Sequence, residues 1–198
     1  MSSKEIQASS VLLGEQSLLV QCGDMLLERG VSIEAVVTLN PVIVDWCRHK
    51  GIPVLESLAA FKDYQAEHAL AYDLLFSITN LKVLSPALIR QPRKLAINFH
   101  DAPLPRYAGL NAPVWALLAG EQDYGVSWHI MEEKVDEGKL LVQQHFPIVP
   151  GETTFSLNAK CYQAGLESFA RLLDLIAADD LAGSSQNLDE MTYFGLNH

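Results

Sequence analysis

Asn98 and His100 stand two residues apart at the end of Leu95-Ala96-Ile97, a run that reads as a buried strand. Side chains two apart in a strand share a face, so an amide and an imidazole leave the sheet pointing the same way. The amide can donate to a developing oxyanion, and an imidazole gives or takes a proton near neutral pH. Such a pair suits acyl chemistry. On residue type alone His100 stays ambiguous, because a lone histidine at a strand end is more often a satisfied structural residue. Further on, Glu132-Glu133-Lys134-Val135-Asp136-Glu137-Gly138 carries five charges in seven residues, which on pattern alone reads as a solvated turn. His129 lies inside an expected strand, and its spacing to Glu132 and Glu133 suits a metal site poorly.

Presenting these side chains requires a sheet, and the chain supplies alternating strand and helix signals. Ser9 to Leu13 reads as a strand ending on Gly14, and Ser17 to Gly30 as a helix with a glycine stop. Ile33 to Thr38 is the next strand, and Pro41 to Lys50 a helix with proline at its start and Gly51 just past its end. Pro53-Val54-Leu55, Asp73 to Ile78 and Leu95 to Phe99 complete a set of five strands, and the stretch between Leu55 and Asp73 is assigned no element. Alternation of this kind predicts parallel βαβ units, so the expected fold is α/β: a Rossmann-type, mostly parallel twisted sheet with helices on both faces. Ligands of open α/β sheets bind beyond the strand C-termini, which places the loop Thr79 to Ser85 beside Asn98 and His100. Its Leu81, Val83 and Leu84 fit an apolar slot for a flat ring, or equally the packing of the following helix start.

Past His100, Pro103 and Pro105 stiffen the chain and leave the isomer of the Leu104–Pro105 bond open, and Asp101 reads as a loop-fixing residue. Ala112 to Ala119 is expected as a helix with Trp115 on its inner face. Val126 to Met131 and Lys139 to Phe146 are expected strands. From Thr153 or Thr154 to about Leu181 runs the longest helix, with Phe155, Ala159, Tyr162, Leu166, Phe169, Leu173 and Ile176 spaced for one apolar stripe. Residues 1–181 are therefore expected to form one domain, with 182–198 a linker or the start of a further segment.

Composition narrows the classes of function. Fourteen Lys and Arg against 24 Asp and Glu leave a net charge of −10, a surface that repels phosphate backbones, so no nucleic-acid partner is expected. No apolar run reaches the roughly 18 to 20 residues that span a bilayer, and Met1 to Ile6 lacks a signal-peptide pattern; a cytoplasmic protein without a membrane partner is expected. Cys22, Cys47 and Cys161 are scattered and read as core thiols. Gly14-Glu15-Gln16-Ser17 lacks the Gly-x-Gly-x-x-Gly run, and Glu15 is electrostatically wrong beside a pyrophosphate.

Ile97-Asn98-Phe99-His100, Pro103-Leu104-Pro105, Tyr107-Ala108-Gly109, Gly120-Glu121, Gly125 to His129 and Val135-Asp136-Glu137-Gly138 recur in an order and spacing that resembles the 10-formyltetrahydrofolate-dependent formyltransferases. That group includes methionyl-tRNA formyltransferase, glycinamide ribonucleotide formyltransferase and the amino-sugar N-formyltransferases. The resemblance implies the formyltransferase fold, a catalytic trio of Asn98, His100 and Asp136, and 10-formyltetrahydrofolate as co-substrate with no metal. It also implies a pterin slot formed by Leu81, Lys82, Val83 and Leu84 together with Glu132, Glu133, Lys134 and Val135. The wording from Phe99 to Pro113 is similar to formyltransferase domains of nonribosomal peptide and polyketide synthetases, while Asp101-Ala102-Pro103-Leu104-Pro105 departs from the Ser-Leu-Leu-Pro of most relatives. The acceptor this implies is a primary amine, in the first place an aminoacyl group on a carrier protein, and otherwise an amino sugar or other small amine. A folate-binding module without turnover is the reading from a different class. A methionyl-tRNA enzyme would need a further C-terminal domain, which is not expected within these 198 residues.

Overall fold

The computed structural model describes residues 5–195. Contacts divide the chain into one unit that runs to Asn98 and another that starts at Phe99. In the first unit, β1 (Ser9–Leu13), β2 (Ser32–Val37), β3 (Val54–Leu55), β4 (Leu74–Ser77) and the beginning of β5 (Leu95–His100) alternate with α1 (Leu18–Glu28), α2 (Pro41–Lys50), α3 (Leu58–Glu67) and α4 (Pro86–Ile89). Val11 and Leu12 of β1 and Leu74, Leu75 and Phe76 of β4 are wholly buried. Continuous apolar runs like these are what a parallel strand covered on both faces requires. All the pairings among β1 to β5 are parallel.

Seven strands form one mostly parallel sheet in the order β3-β2-β1-β4-β5-β7-β8, where β7 (Asp123–Ile130) and β8 (Leu140–Pro147) are an antiparallel pair. The chain moves outward from β1 to β3 and then returns to lay β4 on the other side of β1. That reversal between β1 and β4 is the topological switch at which open α/β sheets leave a crevice.

Helix α2 has the expected bounds because its signals are explicit. Asn40 accepts a hydrogen bond from Val42 N, Pro41 opens the first turn, and Gly51 closes the helix in the left-handed conformation at φ 70°. Helix α3, to which no expectation corresponds, is capped by Ser57 but buries only Phe61, so its apolar periodicity is too thin to read.

The second unit holds β6 (Ala108–Gly109), α5 (Ala112–Leu118), β7, β8, α6 (Thr154–Ala178), a 3-10 turn at Leu188–Glu190 and β9 (Tyr193–Phe194). The buried seam of α6 runs through Leu157, Cys161, Ala164, Gly165, Ser168, Phe169, Leu172, Leu173 and Ile176. This corrects the expected stripe, which coincides with it only at Phe169, Leu173 and Ile176; Phe155 is 85% exposed. Small side chains in the first half of the seam let the helix approach β7 and β8, and Ser168 Oγ accepts a hydrogen bond from the buried Trp128 indole at 3.0 Å. A count led by the largest apolar residues misses such a face. The helix stops at Ala178, three residues before Leu181, because Asp179 turns left-handed.

The segment after α6 packs back on its own unit. Ser184 bridges Leu140, β9 pairs in parallel with β6, and the Phe194 ring stacks on Trp115 at 4.8 Å and on Tyr107 at 5.8 Å. Trp115 is accordingly half-buried under Phe194 rather than turned into a core. Cys22, Cys47 and Cys161 are buried free thiols. Among the described residues no helix is long and apolar enough to cross a membrane.

Candidate active site

Strand β5 carries Asn98, which lies opposite Ser77 of β4 in the parallel register, and ends on His100. His100 is 6% exposed. Its Nε2 lies 2.8 Å from the Tyr107 carbonyl, and since a carbonyl only accepts, Nε2 carries the proton and donates. Nδ1 is then the nitrogen left for chemistry, and it faces Asp136 Oδ2 at 3.7 Å. Asp136 is 7% exposed, which overturns the reading of its segment as a solvated turn at this position. The backbone there turns left-handed, at φ 59°, and folds the carboxylate inward.

Three groups meet that carboxylate. Gly109 N donates to Oδ2 at 2.9 Å, His100 approaches the same oxygen, and His129 Nε2 lies 3.4 Å from Oδ1. His129 Nδ1 donates to the Ile130 carbonyl at 2.9 Å. Each imidazole therefore commits one N–H to the main chain and aims its second nitrogen at Asp136. A proton on either of those nitrogens makes a charge-assisted contact, and without one a lone pair confronts an anion. Burial by itself pushes the Asp136 carboxyl up; the charge of His100, the hydrogen bond and charge of His129 and the Gly109 N–H outweigh it and hold the carboxyl at about 2.

A folded-state value below the ordinary 3.8 stabilises the protein at pH above about 4, and that stabilisation is lost as pH falls towards 2. Urea unfolding between pH 7 and pH 2 is expected to show a share of acid destabilisation on the order of 2 kcal/mol that Asp136→Asn lacks. Equal acid sensitivity in both proteins would contradict the assignment.

His129 is a site residue that sequence reasoning missed. The β7–β8 register shifts between Trp128 and His129, and no local pattern announces that this side chain faces Asp136. The segment that follows His100 is fixed by side chains from β7 and β8. Ser127 Oγ donates to Ala102 O and accepts from Leu104 N, and Gln143 Nε2 donates to Leu104 O. The Leu104–Pro105 bond is cis. Tyr107, left-handed at φ 61°, is held by its hydroxyl on Glu121 at 2.6 Å. The same carboxylate pairs with Arg106.

In the first unit, Leu81 and Val83 are 83% and 77% exposed, whereas Leu84, the residue before the Ser85 cap of α4, is buried. Lys82 is exposed, and Asn80 bonds its main-chain N–H and carbonyl at 3.1 and 3.0 Å. Glu15 Oε2 accepts from Thr38 Oγ1, Leu39 N and Asn40 N at 2.9 to 3.1 Å, just past the C-terminal end of β2. In the second unit Glu132, Glu133, Lys134 and Val135 are all exposed.

Comparison with known proteins bears on this arrangement. The family model described as "Formyl transferase" matches residues 46–173. A methionyl-tRNA formyltransferase of Geotalea uraniireducens is 31% identical over 183 residues, covering 85% of this chain and 58% of that protein. One from Bacillus thuringiensis is 31% identical over 169 residues, covering 84% and 53%. The chain thus spans somewhat more than half the length of these relatives. Among solved structures, an N-formyltransferase from Helicobacter canadensis in complex with folinic acid and dTDP-3-aminofucose superposes with a TM-score of 0.80 at 20% identity, covering 95% of this chain and 71% of that one. A phosphoribosylglycinamide formyltransferase from Anaplasma phagocytophilum superposes with a TM-score of 0.75 at 21% identity, covering 96% and 98%. At these identities the likeness is one of fold.

Proposed function

We propose, because this chain belongs to the formyl transferase family, that it moves the formyl group of 10-formyltetrahydrofolate onto a primary amine. The observation that carries the reading is the buried Asp136 carboxylate set between His100 and His129. A neutral acceptor amine adds to the formyl carbon, forming the new C–N bond and an oxyanion. The intermediate collapses, the bond from that carbon to the folate nitrogen breaks, and the nitrogen leaves with a proton. Asn98, two residues before His100 on the same strand, is the donor for the oxyanion, a contact worth roughly 100- to 1,000-fold in rate. His100 Nδ1 relays the proton that the amine loses, and Asp136 stabilises the imidazolium that results. The exposed apolar side chains of Leu81 and Val83 favour that loop as a contact for a flat ring. Lys82 and Leu84 would contribute through the main chain, and Glu132, Glu133, Lys134 and Val135 form the other segment assigned to the folate.

For the acceptor we favour an aminoacyl group carried on a carrier protein, on the wording of Asp101-Ala102-Pro103-Leu104-Pro105-Arg106-Tyr107-Ala108-Gly109. An amino sugar or another small amine is the alternative. A net charge of −10 weighs against a tRNA held by this part of the chain alone. The test is single-turnover transfer from 10-formyltetrahydrofolate to a panel of amines, free and thioester-linked to a carrier protein. Transfer confined to the carrier-bound members supports the first acceptor, and transfer to free amines the second. Tight folate binding with no transfer to any amine would reduce the protein to a binding module.

A further inference from the structure

Asp136 occupies a backbone conformation that costs a non-glycine residue about 1–2 kcal/mol, so something outside the turn must hold it there. A single side chain serves two carbonyls of the turn: Gln186 Nε2 donates to Asp136 O at 2.8 Å and to Gly138 O at 2.6 Å. We propose that Gln186 is a positioning residue for Asp136, its amide tying these two carbonyls together and fixing the left-handed turn from which the carboxylate meets Gly109, His100 and His129.

Three observations carry the proposal. Gln186 Oε1 is buried and, among the described residues, has no hydrogen-bond partner. A buried acceptor left unsatisfied costs about 1–3 kcal/mol, a cost that a side chain kept only for packing would avoid; the amide is there for its two N–H groups. The turn also has no slack. A Cβ on Gly138 would come within 1.8 Å of Ile130 O, so the Gly138 backbone is already packed against the end of β7. Finally, Gln186 is anchored on both sides in sequence, by the Ser184–Leu140 bridge before it and by the β6–β9 pairing after it. The same stretch acts on the other side of the carboxylate. Thr192 Oγ1 accepts from Tyr107 N at 2.8 Å and Phe194 O accepts from Leu110 N at 2.7 Å. That fixes the loop that supplies the Tyr107 carbonyl to His100 and the Gly109 N–H to Asp136.

The kinetic half of the test rests on the formyl-transfer reading, and the spectroscopic half does not. In the full chain, Gln186→Met keeps length and packing and removes both donors, and Gln186→Glu places a carboxylate against the two carbonyls. The first readout is the titration of the Asp136 carboxyl by NMR of ¹³C-aspartate-labelled protein without any substrate. Both variants are expected to raise it from about 2 towards the ordinary 3.8, because the displaced carboxylate loses the contacts that hold it down. In single-turnover transfer, kcat is expected to fall about 10- to 100-fold with KM for the folate within about threefold, as a misplacement of near 1 Å would give. An unchanged Asp136 titration with kcat within twofold of the wild type overturns the proposal, as does failure of both variants to fold, which would make Gln186 a purely structural residue. A wild type without transfer activity defeats the functional reading, and the Asp136 titration then still decides whether Gln186 positions Asp136.

Discussion

His100→Gln is expected to fold like the wild type and to transfer formyl groups about 10²- to 10⁴-fold more slowly. A glutamine amide can still donate to the Tyr107 carbonyl that His100 Nε2 serves at 2.8 Å, so the loop from Asp101 to Gly109 keeps its anchor. What it lacks is a nitrogen that exchanges a proton near neutral pH. His100→Ala removes both the anchor and the proton relay. It is expected to be as slow and also less stable by about 1–3 kcal/mol, the cost of leaving a buried carbonyl unpaired. Single-turnover rates beside urea unfolding curves separate the two effects. A His100→Gln protein with kcat within threefold of the wild type would remove the histidine from the chemistry.

Asp136→Asn should produce a similar loss, about 10²- to 10⁴-fold, with folate affinity little changed. Its amide oxygen can accept from Gly109 N as the carboxylate does at 2.9 Å, so geometry is kept while charge is lost. An imidazolium at His100 then has no anion beside it, and the proton leaving the amine has nowhere favourable to go. Because His100 and Asp136 act as one unit, the double variant His100→Gln with Asp136→Asn is expected to be about as slow as the slower single variant. Fully multiplicative losses would show instead that the two side chains work independently.

Much of the scaffold is legible in the sequence where a local signal is complete. Asn40, Pro41 and Gly51 mark both ends of α2, and the apolar runs of β1 and β4 mark buried parallel strands. Legibility fails where long-range packing decides. Helix α3 buries one residue, and the small-residue seam of α6 is set by how closely the helix approaches the sheet.

The site divides in the same way. Asn98 and His100 are suggested by strand period alone. Asp136 stands out only by resemblance, because a charge count cannot reveal that a left-handed turn buries one carboxylate out of four. His129 lies in a motif of the resemblance, yet nothing in its pattern reveals that it faces Asp136, and Gln186 reaches that turn from 50 residues away in the chain.

The carboxylate of Glu15 lends itself to a different description. Held by Thr38 Oγ1, Leu39 N and Asn40 N, it is a resident competitor on a tether, present at an effective concentration of roughly millimolar or more. A phosphate arriving from solution at the end of β2 meets donors already taken, and displacing that occupant would cost three hydrogen bonds. At the end of β2 the donors are closed to a phosphate by occupancy rather than by shape.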